Sequence, residues 1–538
     1  MNKYRPYHLE IQKHRSNCYG VIRTSYREDG KVKHSHHGRL TGLSYEHLKL
    51  IQAAFREDVT AKGQYKVSNS KEYGASYAIL QLIKKLGLDK TIYSRPSEQW
   101  VQDCLAMIAG RLIYAGSKLS LSNMWKNTSL WELCGIEGNV DVDEHCYEPM
   151  DRLIERQDVI QKNLAKKHMQ NGSLILYDIT SSYLEGDYEN SEIAEYGYNR
   201  DKKRGRKQVV IGLLCSSEGC PVAVEVYSGN TQDAQTVEEK IKEVQNNYGV
   251  KEIIFVGDRG MITHANYEKI KDTPGLNIIS ALTHREIAGL LERDNIQIGL
   301  FDEKNILEVV DNENSKVRYC LCKNIESAKR ESNTRQALLD KTKEELDKIV
   351  KSKRKTTDEK IGERVGKVLA RTKMGKFVNY KVTQGKFEWN FDEEKINNEK
   401  LLDGCYIIKT DVPQELMEKK EIVCAYKKLT LVEQVFRNLK TVQLEIRPVY
   451  HKTDERIRCH VFLCMLAYYV QWHMNQMLKP LFKNDKKGKN SEWSFEGVIE
   501  RLKCIRREQI CVHDTICKVV SEPEKDQQMI LDLLHIKL

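Results

Sequence analysis

The sequence contains no long hydrophobic run. Its longest, residues 461–470, is about half the roughly 20 residues that a spanning helix requires, so insertion into a membrane is not expected. Residues 1–18 are charged throughout and hold no apolar stretch of the kind a secretory leader carries. None of the 15 cysteines forms a Cys-x-x-Cys pair, and Cys504, Cys511 and Cys517 have no histidine at zinc-finger spacing. Cys320 and Cys322 fall in a strand-like stretch whose alternation points them to opposite faces. Disulfide frameworks and zinc fingers are therefore excluded, and buried thiols of a cytoplasmic protein remain. His34, His36 and His37 read as a solvated loop beside Lys33 and Arg39 rather than as metal ligands. The chain shows neither a fixed-period repeat nor a clean helix-turn-helix.

What is present fits a protein of two to four domains: 538 residues, 40% hydrophobic and 30% charged. The 87 Lys and Arg outnumber the 77 Asp and Glu, and the resulting +10 suits a polyanionic partner. Residues 17–33 are β-prone around a possible hairpin turn at Glu28-Asp29-Gly30. From 45 to 169 apolar residues recur at helical spacing, as in Val101, Leu105, Ile108 and Leu112. The character changes at 173, where Ser-Leu-Ile-Leu-Tyr-Asp reads as a buried strand closing on Asp178. Strands at 208–215 and 221–227 follow, joined by the hairpin signal Ser216-Ser-Glu-Gly219. A helix at 234–246, a strand ending at Asp258, a helix at 266–272 and a strand at 277–282 complete a β-β-β-α-β-α-β order. That order describes an α/β fold, a mixed sheet flanked by helices, with Asp178 and Asp258 at the carboxyl ends of two strands. Residues 283–415 read as a β-rich insertion (306–310, 317–322, 386–390, 405–410) carrying long charged helices at 327–369. Amphipathic helices at 427–440 and 457–477 come next, and 494–538 reads as mostly helical.

Two aspartates brought together at strand ends raise each other's pKa unless a cation sits between them. Mg2+ prefers carboxylate and water oxygens, and two such ions about 3.5–4 Å apart assist in-line phosphoryl displacement. Such a site calls for a third carboxylate, and Glu433 is the candidate. On one helix Tyr426, Glu433, Arg437 and Lys440 are spaced by 7, 4 and 3 residues and share a stripe. Leu429, Val432, Phe436 and Leu439 form the apolar stripe that docks it. The plainer reading of this helix is a docked surface element with an i,i+4 Glu433–Arg437 pair.

Three segments, Tyr177-Asp-Ile-Thr-Ser-Ser-Tyr183, Val256-Gly-Asp-Arg-Gly-Met261 and Tyr426-x6-Glu433-x6-Lys440, together resemble the signature of the DDE transposases of bacterial insertion sequences. The pattern is most similar to the insertion-sequence-four superfamily, and Val435-Phe-Arg-Asn-Leu-Lys440 followed by Arg447-Pro-Val-Tyr-His451 extends it. The resemblance covers about 173–470. It implies an RNase H-like core interrupted by a β-rich and helical insertion, with Asp178, Asp258 and Glu433 as catalytic, metal-holding residues. It implies two Mg2+ per site, replaceable by Mn2+, and a homodimer acting on terminal inverted repeats and target DNA by cut-and-paste transposition. The 80 residues between Asp178 and Asp258 and the 175 between Asp258 and Glu433 agree with an interrupted core. The chain departs from the family's Tyr, Arg, Glu, Lys signature at Leu429, where the Arg is expected; Lys427 and Lys428 are the neighbouring cations.

The resulting layout is a β-hairpin and helical DNA-binding region at 1–170, a catalytic core at 171–285 and 416–478 split by an insertion at 286–415, and a helical region at 479–538 for DNA-end and dimer contacts. DNA contacts are expected from Tyr426, Arg437, Lys440 and Arg259. They are also expected from Arg204, Arg206 and Lys207 in the run 200–207, which holds six cations in eight residues and reads equally well as a solvated loop. Trp389 is expected either to meet a base or to pack a core. Another RNase H-like nuclease, or a domesticated DNA-binding regulator without catalysis, are the alternatives; the presence of all three acids speaks against the second.

Overall fold

The computed structural model describes residues 7–14, 17–28, 30–55, 65–201, 203–292, 306–311, 314–352, 357–442, 444, 446–447, 449–483, 493–512 and 515–538. The stretch 353–355 of the charged helical region and Asp29 of the first turn lie outside them. The chain divides into two compact units: Met1–Ile160 with Asn438–Arg447 and His451–Leu538, and Gln161–Arg437 with Pro448–Tyr450.

The first unit opens with an antiparallel sheet of His8–His14 (β1), Asn17–Glu28 (β2) and Lys31–Leu40 (β3). Glu28 pairs with Lys31 across the expected turn, where Gly30 takes a positive φ. His34, His36 and His37 lie on β3 and not in a loop: His34 and His36 pair with Ser25 and Arg23 of β2, and His37 falls at a bulge of this mostly solvent-facing strand. A second sheet joins Tyr65–Glu72 (β4), expected to be helical, with the hairpin Arg506–Val512 (β15) and Thr515–Val520 (β16) from the tail. Neither β4 nor the hairpin was expected; β4 is mostly polar, and its partner β15 lies more than 430 positions away. The core is helical. The helix Gln99–Tyr114 is buried along almost its whole length and packs with Asp454–Met477, which holds the run 461–470. Helices apolar all round belong in a core. Among the described residues no single helix is long and apolar enough to cross a membrane.

The second unit is mixed α/β, built on one eight-stranded sheet. Its strands are Ser173–Tyr183 (β5), Gln208–Ser216 (β6), Pro221–Ser228 (β7), Ile253–Gly257 (β8), Leu276–Ala281 (β9), Leu307–Val310 (β10), Arg318–Lys323 (β11) and Cys405–Thr410 (β14), in the order β10-β11-β14-β9-β8-β5-β6-β7. Only β9, β8 and β5 run parallel, and antiparallel strands extend the sheet on both sides. Buried along its whole length, β8 (Ile-Ile-Phe-Val-Gly) occupies the centre, as a strand covered on both faces must. Three strands expected in the β-rich insertion continue this sheet: β14 pairs with β9, β11 with β14 and β10 with β11. What stands apart is the hairpin Val378–Thr383 (β12) and Lys386–Phe391 (β13) with the helices Ile325–Val350 and Asp358–Thr372, around Leu346, Val365 and Phe387.

Candidate active site

The strand β5 continues well beyond Asp178, so this acid sits mid-strand rather than at a strand end. Asp258 follows β8 directly. Parallel pairing runs from Ser173↔Ile253 to Leu176↔Val256, and two further steps bring Asp178 level with Asp258. The turn after β8 is fixed by its own backbone: the Asp258 carbonyl accepts from the N–H groups of Met261 (3.0 Å) and Ile262 (3.1 Å). Each side chain also takes a local bond, Asp178 Oδ1 from Ile179 N–H at 2.8 Å and Asp258 Oδ1 from Arg259 N–H at 2.7 Å.

The third acid arrives on a broken helix. Residues expected to form one helix at 427–440 form Lys419–Lys427, then Leu429–Arg437, then a π-helical turn Asn438–Val442. The break has a local cause. The Thr430 hydroxyl donates to the Lys427 carbonyl (2.8 Å), and Leu431 N–H bonds to Lys428 O (2.9 Å), a three-residue step that competes with the helical ladder. The helix Lys419–Lys427 begins with a capping box of Glu418 and Glu421. The helix Leu429–Arg437 buries Val432, Val435 and Phe436, lies against β5 and leaves Glu433 exposed. It also rests on the β6–β7 turn at Gly219, where φ is +80° and a Cβ would come within 3.0 Å of Leu431. Only glycine suits that turn, on both counts.

Tyr426 therefore shares no continuous stripe with Glu433, yet it reaches the same place. Its phenol donates to Asp258 Oδ1 at 3.4 Å. Burial raises its pKa, and so do the charges of Asp258 and Glu433, while Arg259 draws it down. Asp178 responds in the same field. Burial pushes its carboxyl up to about 7, with Asp258 and Glu433 adding to the rise; the Ile179 N–H and the Arg200 guanidinium oppose it. Two carboxylates thus press on a third, and both belong to a cleft of about 320 Å³ lined by Asp258, Arg259, His284, Tyr406, Tyr426 and Glu433. Asp178, half-buried, does not line it.

The other expected site residues are more scattered. Arg437 is exposed, and Lys440 stands on the π-helical turn, which belongs to the other unit. Within 200–207, Arg204 is exposed, Arg206 pairs with Glu185 at 3.1 Å, and the Lys207 ammonium donates to the Tyr188 carbonyl at 3.0 Å. Trp389 packs edge-on against Phe391, 4.9 Å between ring centroids, in the cluster of the β12–β13 hairpin. Sequence reasoning missed the pair formed by Arg200 and Asp233. The Arg200 N–H donates to Ser181 Oγ (3.0 Å) and its guanidinium to Asp233 Oδ2 (2.5 Å), which strap the loop across β5. Arg200 was visible only as the first cation of a run, and nothing around Asp233 sets it apart. A larger cleft of about 650 Å³ shares His284. Its charges are largely matched, Arg335 by Asp403 and Lys376 by Glu399, as befits a structural interface.

A family model described as a transposase DDE domain matches residues 170–470, more than half of the chain. The chain belongs to the DDE transposase family. No curated protein matches it. The transposase is thus a polynucleotidyl transferase and endonuclease that acts on DNA in transposition and recombination. DDE transposases generally use divalent metal ions. The donor set of this transposase fits that use in kind: the carboxylates of Asp258 and Glu433 line one cleft, and Asp178, level with Asp258, is pushed toward its neutral form by burial and by those two acids.

Proposed function

We propose that the protein is a cut-and-paste transposase of a bacterial insertion sequence, of the insertion-sequence-four superfamily. Its second unit is read as an RNase H-like core, with Asp178, Asp258 and Glu433 as the catalytic carboxylates. The observation that carries this reading is the convergence of three elements: the β5–β8 register sets Asp178 level with Asp258, and the helix Leu429–Arg437 brings Glu433 to the cleft that Asp258 lines.

In the first step the oxygen of a water bonds to phosphorus at the element's end, and the P–O3′ bond breaks, leaving a 3′-hydroxyl and a 5′-phosphate. In the second, that 3′-oxygen bonds to a target phosphorus and displaces the target's own 3′-oxygen. One phosphodiester is exchanged for another, so no high-energy cofactor is consumed. Asp178, Asp258 and Glu433 would hold two Mg2+, or Mn2+ in their place, which supply charge neutralisation and water activation. Tyr426 presents a hydroxyl beside Asp258, suited to steadying a phosphate oxygen, and Arg259 adds a cation on the same wall. Arg437, Lys440, Arg204, Arg206 and Lys207 are assigned to DNA contacts farther along the duplex, while Trp389 takes the core-packing alternative. The first unit would recognise the terminal repeats and the second protomer, the second unit would cut, and the hairpin β12–β13 with its two long helices would form the insertion. Pairing two ends calls for a homodimer in the DNA complex, working in the cytoplasm at the nucleoid.

Incubating the purified protein with end-containing duplex and Mg2+ tests the proposal. Cleavage at the end is expected, and it should vanish in Asp178→Ala, Asp258→Ala and Glu433→Ala while DNA binding persists. Undiminished cleavage in any of the three variants would overturn the site assignment.

A further inference from the structure

In the first unit most buried charge is matched. Lys71 pairs with Glu132, and Glu72 accepts from hydroxyls and backbone. Besides Asp89, two cations are exceptions among the described residues. Arg111, in the last turn of Gln99–Tyr114, is 6% exposed, and Lys118, four residues past that helix, is 5% exposed. Among the described residues neither side chain makes a hydrogen bond or an ion pair; the one bond to Lys118 is from Cys146 Sγ to its backbone carbonyl.

Both side chains line one small cavity, whose other walls include Gly116, Ser117 and Ser120. The groups that act on Lys118 are Arg111 and the thiols of Cys464, Cys146 and Cys459, which burial keeps protonated. His451 and His460 face the same two cations, and burial together with their charge holds both imidazoles neutral. No carboxylate compensates the pair. Burying a cation without a counter-charge is strongly unfavourable, so an arrangement of two invites an anion from outside. The connecting loop is strained as well: Ala115, a non-glycine, has φ +26°. Strain of this kind persists where the surroundings impose it, often at ligand clamps.

The cavity has room for roughly one water-sized atom. A tetrahedral anion would thus place one oxygen between the cations and keep the rest at the mouth, where Gly116, Ser117 and Ser120 are exposed. A guanidinium beside an ammonium is the donor pair that suits phosphate. We propose that Arg111 and Lys118 form a binding site for a single phosphate group, supplied by the DNA backbone or by free inorganic phosphate.

Thermal unfolding of the full chain in chloride buffer, with inorganic phosphate added at constant ionic strength, tests the site. The wild type is expected to gain several degrees with phosphate, and Lys118→Met and Arg111→Met to gain none. Because methionine keeps bulk and removes the unmatched charge, both variants should melt no lower than the wild type without phosphate. Should either fail to fold, Lys118→Arg and Arg111→Lys, which keep the charge, are expected to retain a reduced gain. Duplex binding as a function of salt separates the two sources. If a backbone phosphate is the occupant, Lys118→Met lowers the slope of log K against log salt by about 1, and inorganic phosphate competes with DNA. If free phosphate is the occupant, the slope is unchanged while the thermal gain still depends on both cations. A wild type that phosphate does not stabilise, together with an unchanged salt slope, would overturn the proposal.

Discussion

Glu72 and Asp178 are both acids set on strands, one in each compact unit, and their surroundings differ in kind. Glu72, 5% exposed, accepts from five donors: the N–H groups of Ala75 and Ser76 and the hydroxyls of Ser76, Thr128 and Tyr114. Asp178 has a single bond, from its neighbour's N–H, among the described residues, and two other carboxylates press on it. A buried acid that holds a fold together is surrounded by donors. One kept poor in donors and rich in like charge is poised for a cation that arrives later.

The sharpest way to break this contrast is to neutralise each acid in turn. Asp178→Asn is expected to lower end cleavage by about 10³-fold or more, while the melting temperature without cation stays level or rises. Loss of folding instead would make Asp178 structural. Glu72→Ala should do the reverse, since it strands hydroxyls and N–H groups in the core; a loss of about 3–5 kcal/mol in denaturant titrations is expected. An unaltered midpoint would show that those donors find water. Next comes pH. Because the Asp178 carboxyl titrates near 7 in the folded chain against an ordinary 3.8, the folded state holds that proton more tightly. Its contribution favours the fold below about pH 4 and is lost as the pH rises toward 7. The difference in melting temperature between Asp178→Asn and the wild type, measured without cation, should therefore widen from pH 4 to 7; a constant difference would contradict the raised pKa. The smallest effect is expected for Tyr426→Phe: cleavage about tenfold slower, as for one lost hydrogen bond, and unchanged unfolding.

How much of this was readable beforehand depended on where each element finds its partner. The hairpin of β6 and β7 announced itself through Ser216-Ser-Glu-Gly219, and β8 through an unbroken apolar run, because local chemistry decides both. Asp258 at the close of β8 was legible for the same reason. That β5 runs on past Asp178 was not: the following Thr-Ser-Ser lacks apolar alternation, and it is β6, lying alongside to Gln208, that holds it extended. The sheet of β4, β15 and β16 was invisible because sequences such as Lys-Val-Ser-Asn-Ser-Lys-Glu become strands only against a distant partner. The break between Tyr426 and Glu433 turned on one threonine hydroxyl, a detail below the resolution of helical periodicity. Arg200 and Asp233 lie 33 positions apart and meet only once the sheet has formed.

The pairing of β4 with β15 also bears on how the chain is made. Residues 65–72 leave the ribosome early and wait for residues 506–512 before their strand can close. Residues 161–437, nearly a whole unit, emerge in one uninterrupted stretch between them. Since long-range pairing is slow and nascent units fold as they appear, residues 161–437 are expected to fold before β4 finds β15, and the pairing of those two strands would be a late step.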